Sequence, residues 1–188
     1  DFGRTTAGWV RLRTAAPAGT TIRLQYGEKL RADGTDEAST GHVQGGRFQQ
    51  DEYVARGGGE EVWEPRFTFH GFQYVEVTGL GAKPGPGTVT GVALSSDTAP
   101  PGEFACSDPM VNQLVSNTRW TQRMNFIDVP TDCPQRDERM GWTGDAQVYV
   151  RTATLHSDVQ AFFAKWLDDL DDAQRADGQY PKVAPLVL

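Results

Sequence analysis

From Asp1 to about Leu94, apolar and polar residues alternate in short runs broken by Gly, Pro and Asp. A side-chain period of two with one apolar face predicts antiparallel strands. In Thr21 to Tyr26, Ile22, Leu24 and Tyr26 share one face and Arg23 and Gln25 the other. Trp9 to Arg13 reads likewise, and Pro17-Ala18-Gly19 supplies the connection. Further strands are expected over Asp51 to Ala55, Arg66 to Phe69, Phe72 to Thr78 and Val89 to Leu94, with Gly57-Gly58-Gly59 as a turn. About six strands at this spacing predict an antiparallel β-sandwich. Leu30 to Gln50 breaks the pattern: Asp33-Gly34, Gly41 and Gly45-Gly46 are turn residues, and only Val43 and Phe48 are large and apolar, so a long loop is expected.

Ser95 to Gly102 (SSDTAPPG) reads as a linker, its Pro100-Pro101 too stiff for either neighbour's secondary structure. A domain boundary is therefore expected near residue 100, giving 1–100 and 101–188. Beyond it the period rises to about 3.6. Ser107-Asp108-Pro109 predicts a helix start with a capping hydroxyl and an early proline, Val111, Leu114, Val115 and Thr118 share a face, and the helix should reach about Asn125. A second helix follows Thr143-Gly144, with Val148, Ala153 and Leu155 among polar residues. The third is the clearest, with a capping-box pattern at Ser157 and Gln160, a stripe of Val159, Phe162, Phe163, Trp166, Leu167 and Leu170, and a stop at Gly178. Its other face carries Asp168, Asp169, Asp171 and Asp172, which lack the Gly turn of a calcium loop and read as solvated. Three helices with wide apolar faces do not close a core, and the text runs out at GQYPKVAPLVL, so the expectation is a truncated helical array continuing beyond Leu188.

Composition removes several functions. A net charge of −7 without a clustered basic face argues against nucleic acid. No run of about 18 apolar residues is present, so no membrane span is expected and the compartment stays open. The chain begins at Asp1 without a Met or a charged-then-apolar leader, which suggests processing or excision from something longer. Cys106 and Cys133 are too few for a disulfide framework and are expected as free buried thiols, with a single bridge as the alternative. His42, His70 and His156 are scattered and HExxH is absent, so no metal site is expected, and His70 reads as structural. Nucleophile elbows, Walker loops and dinucleotide fingerprints are missing, and no cofactor is expected.

What remains is DVPTDCPQRDERMGWTGDAQ, residues 128 to 147. Asp128, Asp132, Asp137, Glu138 and Asp145 crowd beside Arg136, Arg139 and Trp142, in a stretch broken by Pro130, Pro134, Gly141 and Gly144. Carboxylates accept bidentate hydrogen bonds from vicinal hydroxyls, an indole covers the apolar face of a pyranose, and a carboxylic acid can protonate a glycosidic oxygen. Chemistry alone leaves the acid open between the adjacent Asp137 and Glu138, which in an extended loop point apart. The bland alternative is a set of structural ion pairs, such as Arg139 with Asp128 or Asp137.

This stretch resembles the signature of the bacterial α-L-rhamnosidases of glycoside hydrolase family 78. WEPRFTFHGFQYVEV (63 to 77) is similar to the end of that family's β-sandwich, FACSDPMVNQL (104 to 114) to its first catalytic helix, and FFAKWLDDLDDAQRADGQYP (162 to 181) to a later one. The resemblance implies a β-sandwich followed by the first helices of an (α/α)6 barrel, and cofactor-free, inverting removal of terminal α-L-rhamnose from rhamnosides. It makes Glu138 the general acid, Asp132, Arg136 and Asp145 ligands of the sugar hydroxyls, and Trp142 the aromatic that packs on the sugar. It also implies a base from a later part of the barrel, so the 188 residues alone are expected to be inactive without the remainder of the catalytic domain. Lys182 departs from the shorter polar or acidic residue that the resemblance leads one to expect. The rival reading is a non-catalytic carbohydrate-binding or structural sandwich, with sugar stacking on Tyr26, Phe48 or Tyr53.

Overall fold

The computed structural model describes residues 1–34, 48–100 and 102–186, with 36–37 described in their backbone alone. Gly41, Val43, Gly45, Gly46 and Pro101, which carried part of the loop and linker readings, and His42, one of the three scattered histidines, lie outside the described residues. Two compact units form. One comprises Asp1–Leu94 with Pro134–Asp137, the other Ser95–Cys133 with Glu138–Leu188.

The first unit holds β1 (Thr6–Thr14), β2 (Thr21–Gly27), β3 (Lys29–Leu30), β4 (Asp36–Glu37), β5 (Gln50–Val54), β6 (Glu61–Trp63), β7 (His70–Phe72), β8 (Tyr74–Thr78) and β9 (Val89–Ala93). Leu12 faces both Trp63 and Val89 in register, and Gly8 both His70 and Ala93. Strand β1 therefore has β9 on one edge and β6 and β7 end to end on the other. The second sheet runs β5-β2-β8, all antiparallel, and β3 pairs with β4. The alternation read from the sequence decides which residues the sheets share. Val10 and Phe72 from one sheet meet Leu24 and Tyr26 from the other, and Leu12 meets Ile22, all fully buried. Each such side chain contributes roughly 1.5–3 kcal/mol by leaving water, and the result is a sandwich.

Two strand expectations fail. Arg66 to Phe69 is no strand: Phe67 takes φ 60, which cannot continue a ladder, and projects fully into solvent. The pairing segments lie on either side, at β6 and β7. Phe72 to Thr78 is two strands rather than one. Phe72 pairs with Thr6 and Tyr74 with Gly27, so the chain changes sheet at Gln73.

The second unit holds α1 (Pro109–Asn125), β10 (Phe126–Ile127), β11 (Val129–Pro130), α2 (Thr143–His156) and α3 (Gln160–Asp172). The cap of α1 is Asp108, not Ser107; its carboxylate accepts from Met110 N at 2.8 Å, with Pro109 filling a position that needs no donor. The capping box at Ser157 is also overturned. Ser157 lies extended and buried at the end of α2, where its hydroxyl accepts from Gln122, and Asp158 accepts from Gln160 N. Helix α3 stops at Asp172, and Gly178 instead closes a later turn, donating to Arg175 O. The linker is not loose: Ser96 N donates to Phe126 O, and Ala99 O accepts from Asp158 N. Phe126 is the centre of this unit's core, stacked on Phe162 at 4.5 Å and edge-on to Phe163 and Tyr149. The α1 and α2 stripes read from the sequence are largely exposed at Val111, Leu114, Val148 and Leu155. Both cysteines are free; Cys133 is buried, but Cys106 is exposed, against the expectation.

Candidate active site

The stretch of residues 128 to 147 connects α1 to α2, and its two ends are tied down inside the helical unit. It opens as a tight hairpin, β10 against β11, turning on Asp128 at φ 64, a conformation that Asp tolerates better than most residues. The Asp128 carboxylate meets Lys165, which also binds Asp169 on its own helix. Burial works to lower the Lys165 pKa, but its two carboxylate partners outweigh it and leave the ammonium above its usual range. Asp128 is thus a structural anchor. Thr131 then donates from both its N and Oγ1 to Asn125 O, at 2.9 and 2.8 Å, and bridges to Gly141 across the loop.

Asp132 lies in the span so closed. One of its carboxylate oxygens accepts from Met140 N at 3.3 Å. Side-chain atoms of Asp132, Cys133 and Glu138 lie within 4.8 Å of one another, and Glu138, rather than its neighbour Asp137, shares this group. Two hard carboxylates with a soft thiol do not match the all-oxygen sets of magnesium and calcium. The Trp142 indole donates to the Glu138 carbonyl at 3.2 Å, and Trp142 precedes the first residue of α2. Asp145 sits in the first turn of that helix, where the exposed N–H groups favour a negative charge. Asp132 and Asp145 line one cavity of about 290 Å³, with Gln122, Asn125, Tyr149 and Phe163; its lining does not include Glu138 or Trp142. Burial raises the Tyr149 phenol above its ordinary value, keeping the hydroxyl protonated as donor to Gln122 Oε1 at 3.1 Å.

The middle of the loop, Pro134–Asp137, belongs to the sandwich unit. Gln135 packs so closely on Gly71 of β7 that a Cβ there would lie 2.7 Å from Gln135 N. Gly71 is held in turn by Gln49, which donates to its carbonyl at 2.6 Å. His70 and Asp51 complete the support: His70 is buried between Gln49 Oε1 and Asp51 Oδ2, stacks on Tyr26 at 4.0 Å, and is structural as the sequence suggested. Arg136 lies near Glu28, whose carboxyl burial pushes up while Lys29 and Arg136 pull it down. Glu28 and Gly71 were invisible in the sequence, because neither stands near the loop in the chain. The five residues that the resemblance puts in the site therefore divide, with Asp132, Glu138, Trp142 and Asp145 in the helical unit and Arg136 in the sandwich unit.

Residues 1–95 match the bacterial alpha-L-rhamnosidase concanavalin-like domain, and residues 100–188 the bacterial alpha-L-rhamnosidase 6 hairpin glycosidase domain. An alpha-L-rhamnosidase of Streptomyces avermitilis is 48% identical over the whole chain, and one of Formosa agariphila 41% identical. The crystal structure of the Streptomyces avermitilis enzyme complexed with L-rhamnose superposes with a TM-score of 0.91 at 48% identity over 99% of this chain and 18% of that one. The enzyme from Dictyoglumus thermophilum gives 0.92 at 38% identity, over 98% and 21%. The chain spans about a fifth of the length of these relatives. With its two halves matched to adjoining domains of one kind of enzyme, the chain belongs to the bacterial α-L-rhamnosidase family.

Proposed function

We propose that this chain supplies the acid-bearing part of an α-L-rhamnosidase that removes terminal, non-reducing α-L-rhamnose from rhamnosides with inversion. Glu138 donates a proton to the glycosidic oxygen as its bond to the anomeric carbon breaks, and a water attacks the opposite face of the sugar. Asp132, Arg136 and Asp145 bind the rhamnose hydroxyls, and Trp142 covers the sugar's apolar face. The observation that carries this reading is the pairing of Glu138 with Asp132 within 4.8 Å, beside an indole that donates to the Glu138 carbonyl. An inverting pair stands roughly 6.5–9.5 Å apart to admit a water. Asp132 is too near to be the base, which fits a role as a hydroxyl ligand; the family resemblance implies a base from a later part of the barrel. Substrates of either class, polyphenol rhamnosides or rhamnose-containing polysaccharides, present the same terminal sugar.

The experiment is release of L-rhamnose from an aryl α-L-rhamnoside by the 188-residue chain and by the whole enzyme that carries it. The expected result is turnover by the whole enzyme and none by the chain alone. Turnover by the 188 residues would contradict the assignment of the base, and inactivity of the whole enzyme the assignment of the reaction.

The rival, a sugar-binding sandwich, loses much of its support. Tyr26 is fully buried, with its hydroxyl on Asp51, and Tyr53 stacks on Trp63 while donating to Glu61. Titration of L-rhamnose against the chain and against residues 1–100 separates the two readings, since binding that survives in 1–100 would favour the module.

A further inference from the structure

Trp166 stands outside the charged stretch in sequence, and its place in an apolar stripe suggests a filler of the core. It is buried against Ala146 and Ala184, edge-on to Phe163. Its indole N–H, however, does not go unused: it donates to Ala184 O at 2.9 Å. The segment so held runs antiparallel to the start of α2. Ala184 N donates to Gly141 O at 3.0 Å, Trp142 bridges to Val183, and Thr143 N donates to Lys182 O at 2.9 Å. Lys182, the departure noted in the sequence, therefore serves through its carbonyl. The packing at the centre is tight enough to demand glycine, because a Cβ on Gly141 would lie 2.3 Å from Ala184 O and 2.7 Å from Trp166 Nε1.

We propose that Trp166 is a positioning residue for the general acid. Its indole fixes the 182–184 segment, that segment fixes Gly141–Thr143, and the Trp142 indole, aimed by this bracket, fixes the Glu138 backbone through its carbonyl. Two tryptophans thus act in series, Trp166 from beneath and Trp142 at the site. The inference rests on Glu138 being the acid, and it adds a residue that touches neither the sugar nor the carboxylate. A misplacement of about 1 Å at a reacting group can cost roughly a hundredfold in rate, so a remote hydrogen bond of this kind can matter to turnover without adding much to stability.

Leaving-group dependence separates positioning of an acid from general loosening. A poor leaving group needs the proton; dinitrophenolate does not. In the whole enzyme, Trp166→Phe should lower kcat on methyl α-L-rhamnoside by roughly tenfold to a hundredfold, and on the 2,4-dinitrophenyl rhamnoside by less than about threefold. Replacing Trp166 by benzothienylalanine, which keeps the bicyclic shape and lacks only the N–H, should give the same split and guards against a folding defect. Equal losses on both substrates, or no loss from either replacement, would overturn the proposal. Glu138→Gln run alongside identifies the cause: if it shows the split and the Trp166 variants do not, the bracket is wrong, and if it shows none, the acid assignment falls and the bracket with it.

Discussion

In the sandwich, Val10, Leu12, Ile22, Leu24, Tyr26 and Phe72 are all fully buried, whereas in the helical unit Met110, Leu114, Val148, Leu155 and Leu167 stand between 57% and 79% exposed. Two facing sheets complete a core from one another, since each needs only one apolar face covered. Helices with apolar residues on two sides close only the side that has a partner. In the helical unit two clusters close, Phe126 with Ala153 and Val159, and Ala146 with Trp166 and Ala184, both packed against Phe163.

Mutations can break or sharpen this contrast, with urea unfolding of the chain as the measure. The largest losses are expected from Phe126→Ala, about 3–5 kcal/mol, and Leu24→Ala, about 2–5 kcal/mol, because each leaves a cavity in a closed cluster. Equal tolerance of Phe126→Ala and of a change in the exposed stripes would mean that the helical unit has no fixed core under the loop. Next is Gln122→Ala. Buried Gln122 donates to Ser157 and accepts from Tyr149, so removal strands the buried Ser157 hydroxyl and the half-buried Tyr149 hydroxyl at about 1–3 kcal/mol.

A smaller effect is tied to pH. Burial, and then the nearby Arg119 charge, lower the His156 pKa in the folded chain. Because the unfolded chain takes up that proton first, stability falls as pH drops from about 6.5 through the lowered folded value. His156→Gln should flatten the change in unfolding midpoint between about pH 7 and pH 5; an unchanged slope would remove His156 as its source. Least of all, Leu114→Ser and Val148→Ser should shift stability by no more than about 0.5 kcal/mol in this chain, as surface changes do.

The sandwich was legible because its signal is local: Ile22, Leu24 and Tyr26 alternate in the text and point inward in the fold. The turn at Phe67 was not, since nothing in RFTF announces a positive φ. Helix caps were read one residue out at Ser107, where two capping side chains stand side by side and only Asp108 is placed to reach Met110 N. Of the site, the residue kinds and their density were plain in 128–147, but the ranking of Asp137 and Glu138 came from resemblance. The pairing of Glu138 with Asp132 adds a geometric argument. Glu28, Gly71 and the Trp166–Ala184 bond depend on contacts between residues distant in sequence, which no periodicity records.

Those two adjacent carboxylates also provide the most direct test of the central claim, that Glu138 is the acid of a rhamnosidase site. In the whole enzyme that carries this chain, kcat on methyl α-L-rhamnoside should drop by roughly 10²–10⁴ in Glu138→Gln, the range of general acid catalysis, and far less in Asp137→Asn. The reverse ranking, or a Glu138→Gln enzyme that keeps its rate, would contradict the account.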